Sequence, residues 1–129
     1  MEVWQVACPE FVPLIEQNRV LDPYTAQIAQ QYLAPLLAQK IDTLVYGCTH
    51  HPHLEPILRL LLPSTVKLLD PAIQVVATAT QQLDLLGLTN TNIAILPTRF
   101  YVSGCPQNFT QSAQLLLGFT PMVEKISLT

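Results

Sequence analysis

Eleven prolines divide the 129 residues into short apolar segments, and most fall between those segments rather than inside them. A chain punctuated in this way builds its core from short elements, because proline lacks a backbone donor and fixes its own φ. Val3 to Ala7 predicts a strand that ends at Cys8-Pro9. Asp22-Pro23 predicts a helix start, with Asp capping free amides and Pro at a position where no bond is lost. Ile28, Tyr32, Leu33, Leu36 and Leu37 continue that helix through Lys40, with a kink expected at Pro35. Thr43 to Tyr46 predicts a strand that stops at Gly47-Cys48. His53 to Leu62 predicts a short helix closed by Pro63, and Val66 to Leu69 a buried strand ending at Asp70-Pro71. Ala72 to Leu86 predicts the longest helix, stopped by Gly87. Arg99 to Val102 predicts a strand, Gln107 to Leu117 a helix stopped by Gly118, and Met122 to Leu128 a last strand. Strands alternating with helices, several of them continuously apolar, indicate an α/β chain with a mostly parallel sheet.

Composition narrows the function classes. Half of the residues are apolar and 12% are charged, against roughly 25% charged in an average soluble domain. That content excludes intrinsic disorder, and the length suits one domain or part of a larger one. A net charge of -3 without a basic cluster argues against nucleic acid as a partner. No apolar run approaches the ~18 residues of a membrane span. The start at Met1-Glu2-Val3-Trp4 lacks the basic region and apolar run of a signal peptide. Three cysteines without framework spacing predict free thiols in a reducing cytosol. The four glycines do not cluster, which excludes a phosphate-binding loop and a dinucleotide fingerprint.

All three histidines, His50, His51 and His53, lie within the six residues that begin at Cys48. Ligands of open α/β sheets bind beyond the carboxyl ends of the strands, and Cys48 stands at such an end. The helix that follows would present free amides nearby, which favours a carboxylate ligand and an ionised thiol. Three readings fit the segment: a buried, inert cysteine beside ordinary loop histidines, a metal site, or a catalytic thiol whose protonation is set by a histidine. The metal reading is the weakest, because Cys-Thr-His-His-Pro-His lacks paired ligand spacing and Pro52 restricts the backbone.

The run Leu44-Val45-Tyr46-Gly47-Cys48-Thr49-His50-His51-Pro52-His53-Leu54 resembles the second-cysteine signature of glutamate racemases, within the aspartate/glutamate racemase superfamily. Ala7 to Glu16 resembles the family segment that precedes this signature, and Ile41-Asp42-Thr43-Leu44 leads into it. Leu69-Asp70-Pro71-Ala72 and Arg99 to Gly104 resemble later segments, in the same order. Only the C-terminal half of the family is represented. The resemblance implies a parallel-sheet, three-layer α/β sandwich, present here as an incomplete C-terminal portion. Residues 1–66 would belong to the second racemase-like domain, which carries the Cys-Thr-His motif. Residues 67–129 would return to complete the first.

The resemblance further implies interconversion of L- and D-glutamate without a cofactor or metal, in the cytoplasm, for peptidoglycan synthesis and cell shape. Two thiols on opposite faces of the α-carbon remove and deliver the proton. Cys48 matches the second thiol, His50 the histidine that assists it and contacts substrate, Thr49 a substrate-contacting position, and Glu16 an acidic residue on the same side. A solvated carboxylate after an apolar turn fits Glu16 equally well. His51 replaces a common tyrosine, and Cys105 stands where many relatives carry an acid. The first thiol has no counterpart. Racemisation of aspartate or a related amino acid, or a non-catalytic truncated product, are the alternatives. Beyond substrate, the implied partner is the missing N-terminal half; apolar faces left without it predict self-association.

Overall fold

The computed structural model describes residues 2–90 and 97–127 and divides the chain into two compact units, Met1–Thr89 and Asn90–Thr129. In the first unit the order is α1 (Phe11–Glu16), α2 (Pro23–Ala38), β1 (Thr43–Val45), a 3₁₀ turn (His51–Leu54), α3 (Glu55–Leu61), β2 (Lys67–Leu69) and α4 (Pro71–Leu85). Strands β1 and β2 pair in parallel, Thr43 opposite Lys67, Leu44 opposite Leu68 and Val45 opposite Leu69. With α3 between them they form a β-α-β crossover, the connection that parallel strands require.

Helix boundaries follow the local chemistry. Asp22 accepts a hydrogen bond from the Tyr24 amide at 2.8 Å, with Pro23 as the first helical residue. Asp70 does the same for Ala72 at 2.9 Å ahead of α4. At the other end of α4, Gly87 takes φ +65° and the Leu88 amide returns to the Leu83 carbonyl, which closes the helix. The kink expected at Pro35 does not divide α2, which runs as a single helix to Ala38. Pro35 and Gln31 are both exposed, so the carbonyl that loses its partner can turn to water.

The core of this unit joins α1, α2, α3 and β1 through Phe11, Ile15, Ile28, Ala29, Leu33, Tyr46, Leu54, Ile57 and Leu58. Burial pushes the Tyr46 phenol up to about 12, with the neighbouring Glu55 carboxylate adding to the effect. Helix α4 buries none of its residues, and Ile73, Val75, Val76 and Leu85 stand exposed along it. Apolar length without cover is the signature of a surface made for another part of a protein.

Two elements differ from the sequence expectation. Helix α1 arises where a strand end and an apolar turn were expected. Phe11, Leu14 and Ile15 fall on one buried face, and Pro13 is tolerated because amides of the first turn have no intrahelical acceptor. The expected strand over Val3 to Ala7 is absent, and among the described residues no backbone–backbone hydrogen bond involves Glu2 to Ala7. A strand exists only through its ladder, and no neighbour offers one.

The second unit is a smaller crossover: β3 (Phe100–Val102), α5 (Pro106–Leu117) and β4 (Val123–Lys125), with β3 and β4 parallel. Gly118 ends α5 at φ +73°. Leu128, the end of the expected last strand, lies outside the described residues.

Candidate active site

Strand β1 delivers Gly47 and Cys48 at its carboxyl end, and the chain then winds into the 3₁₀ turn, where the His51 amide donates to the Cys48 carbonyl at 3.1 Å. The α-helix proper begins only at Glu55, so a tight turn, and not a regular helix end, follows the thiol directly. Within this turn the three histidines diverge. His50 points its Nδ1 at Cys48 Sγ, 3.8 Å away, a distance suited to a weak sulfur hydrogen bond. His50 Nε2 lies 3.1 Å from Glu16 Oε1. His51 instead packs its ring edge-to-face on Phe11, centroids 5.3 Å apart at 88°. His53 takes no part in the contacts of the thiol.

The structure thus brings together Glu16, His50 and Cys48, which the sequence separates by up to 34 residues. Glu16 reaches the site because α1 packs on the 3₁₀ turn, so its last residue overhangs His50. The position of α1 is fixed from behind: Phe11 lies edge-on to Tyr32, and the Glu10 carboxylate accepts from Tyr24 Oη at 2.7 Å and Tyr32 Oη at 3.3 Å. Cys48 and His50 are half-buried, while Glu16 and Thr49 are exposed. Chemically this is a carboxylate–imidazole–thiol series open to solvent. One imidazole nitrogen thus faces a carboxylate and the other a thiol, an order of groups through which a proton can pass.

No group of three or more His, Cys, Asp or Glu side chains among the described residues is arranged to hold a metal ion. Cys8 is half-buried, and burial pushes its thiol up, which disfavours the thiolate. Exposed Cys105 belongs to the second unit, where its Sγ meets Gln107 Oε1 at 3.2 Å.

Desolvation on the Phe11 side holds the His51 imidazole below its ordinary range, and charge on His50 acts in the same direction. Above pH ~6.5 the residue is neutral in both folded and unfolded chains, so its contribution is flat. As pH falls through that value the unfolded chain takes up the proton first, and stability declines until the folded imidazole also protonates. Melting temperatures recorded between about pH 7.5 and pH 5.5 are expected to fall. In His51→Tyr that part of the slope disappears; an unchanged slope would place its origin elsewhere.

No family model matches the chain. Among curated relatives it is 64% identical to the glutamate racemase of Trichormus variabilis over 129 residues, all of this chain and 44% of that protein. Identity to the glutamate racemase of Nostoc sp. is 65% over 126 residues, 98% of this chain and 43% of that one. Two solved structures are similar in fold. Glutamate racemase isoform RacE1 of Bacillus anthracis has a TM-score of 0.89 at 31% identity, covering 99% of this chain and 48% of that protein. The glutamate racemase of Francisella tularensis, solved in complex with D-glutamate, has a TM-score of 0.86 at 30% identity, covering 98% and 47%. With helices and parallel strands matching those structures, and a sequence that spans about half the length of its curated relatives, the chain belongs to the glutamate racemase family.

Proposed function

We propose that the chain is the C-terminal half of a cytoplasmic, cofactor-independent glutamate racemase and supplies one of its two proton-transferring thiols, Cys48. The observation that carries this reading is the series Glu16–His50–Cys48, with contacts of 3.1 Å and 3.8 Å at the end of a parallel strand. In one direction the Cys48 thiolate takes the α-proton of glutamate while a thiol on the opposite face donates one. In the other direction the Cys48 thiol donates. His50 stores and returns the Cys48 proton, Glu16 orients His50, and Thr49 faces the substrate. D-glutamate bound to the Francisella tularensis relative supports this substrate class, and the product would serve peptidoglycan synthesis.

Residues 1–66 would carry the thiol within one racemase domain, which β2 joins through its pairing with β1, and the rest of residues 67–129 would return to the other. A reaction that needs bases on both faces gives a half-length chain no efficient route. The test is D-glutamate formation from L-glutamate, followed by circular dichroism or a coupled assay. The purified chain alone should show background turnover. Mixed with the part of the Trichormus variabilis racemase that this chain does not span, it should turn over. Robust activity of the chain alone would overturn the two-half reading.

A further inference from the structure

Thr25, in the first turn of α2, is fully buried at 0% exposure, the one polar residue so placed among the described residues. Its hydroxyl donates to the Arg19 carbonyl at 2.7 Å, and that carbonyl also accepts from the Asp22 amide at 3.1 Å. Arg19 lies just beyond the end of α1. Its amide returns to the Leu14 carbonyl at 2.9 Å, and the Asn18 amide returns to the Ile15 carbonyl at 2.9 Å. Asn18 takes φ +57°. Two such bonds around a left-handed residue form a Schellman ending, and Glu16 is the last helical residue before it. The carboxylate that meets His50 thus stands three residues from a carbonyl held by a buried hydroxyl.

We infer that Thr25 is a positioning residue for the proton-transfer series: through Arg19 and the left-handed turn at Asn18 it fixes the end of α1, and with it the reach of Glu16 to His50. Helix α1 has only six residues, too few internal bonds to hold its own direction, so its last turn follows the segment to which it is tied. Glu16 is exposed, and packing of its own side chain does not place it. The Arg19 side chain adds a tie to Asp22, with Nε and Nη2 each 3.0 Å from Oδ2. That pair is partly exposed and contributes little. The buried hydroxyl is the firmer tie, because water does not compete for a bond shielded from solvent. This assignment rests on the role given to Glu16 above and adds what holds that carboxylate in place.

Thr25→Val keeps the shape of the side chain and removes the hydroxyl, whereas Thr25→Ser keeps the hydroxyl. Each variant is combined with the part of the Trichormus variabilis racemase that this chain does not span, its companion half. Rates are then measured with Glu16 present and in Glu16→Gln. Thr25→Val should lower kcat by about threefold or more with Glu16 present and by less than about twofold in Glu16→Gln, because groups acting in series are not additive. KM should stay within about twofold, and Thr25→Ser should keep both constants within about twofold. Asn18 is exposed, so Asn18→Val disturbs the turn without touching the core: a β-branched residue resists positive φ. Its loss should also vanish in Glu16→Gln, and Asn18→Gly should retain the full rate. If circular dichroism shows that Thr25→Val has lost its helices, the Asn18 pair decides.

A second readout needs no turnover. In the full chain alone, NMR of labelled histidine at one pH, assigned with His50→Asn, should show the His50 ring signals moved by Thr25→Val in the direction that Glu16→Gln moves them. Equal rate losses in both backgrounds, or equal losses in Thr25→Val and Thr25→Ser, overturn the positioning role and leave the two-half reading standing. If the combined halves do not turn over, the two-half reading fails and the NMR comparison decides: His50 signals unmoved by Thr25→Val overturn the role of Thr25.

Discussion

Cys48→Ser is expected to abolish racemisation in both directions when the variant is combined with the companion half. A hydroxyl is a far weaker acid than a thiol, so serine at this position neither holds the negative charge needed to take the α-proton nor releases a proton readily. Loss of a positioned acid–base group costs about 10²–10⁴-fold in rate, and Cys48 serves as base one way and acid the other, so neither direction is spared. His50→Asn should cost less, because the thiol remains and water can exchange its proton. Glu16→Gln should cost least and act through His50, whose Nε2 lies 3.1 Å from the carboxylate and is oriented by it. Activity of Cys48→Ser near that of the unmodified chain would remove this thiol from the reaction.

Leu54→Ala is expected to produce the largest loss of stability of any single truncation in the first unit, about 2–5 kcal/mol. Leu54 is fully buried, at 0% exposure, and is the last residue of the 3₁₀ turn that carries His50 into α3. Truncation there opens a cavity beside Ile57, Leu58 and Tyr46, and the turn that aims His50 at the thiol loses its anchor. Leu60, 85% exposed on α3, is the control: its truncation should stay within about 0.5 kcal/mol. Urea unfolding followed by circular dichroism compares the two, and equal midpoints would show that the turn is not held by the core.

Turn chemistry made much of the fold readable. Asp22-Pro23, Asp70-Pro71, Gly87 and Gly118 each act on amides and carbonyls within a few residues, and each marks a boundary that the structure keeps to within a residue or so. Helix α1 was legible too, since Phe11, Leu14 and Ile15 have helical spacing. Pro9 and Pro13 disguise it as a turn. The strand at Val3–Ala7 failed for the opposite reason: its residues favour a ladder, but a ladder needs a neighbour.

The thinly charged composition acquires a location in the structure. Exposed apolar residues run along α4, where Ile73, Val75, Val76 and Leu85 stand uncovered, and recur along α5 at Leu115, Leu116 and Leu117. By itself the sequence determined the alternation of strands and helices, their boundaries, and the placement of Cys48 at a strand end, because these depend on propensity and turn chemistry over short spans. Tertiary structure decided which histidine meets the thiol, that Glu16 reaches that histidine from 34 residues away, and that Val3–Ala7 joins no ladder among the described residues. Those outcomes depend on how α1 packs against the turn after β1 and on which strand edges are occupied, and no local pattern encodes either.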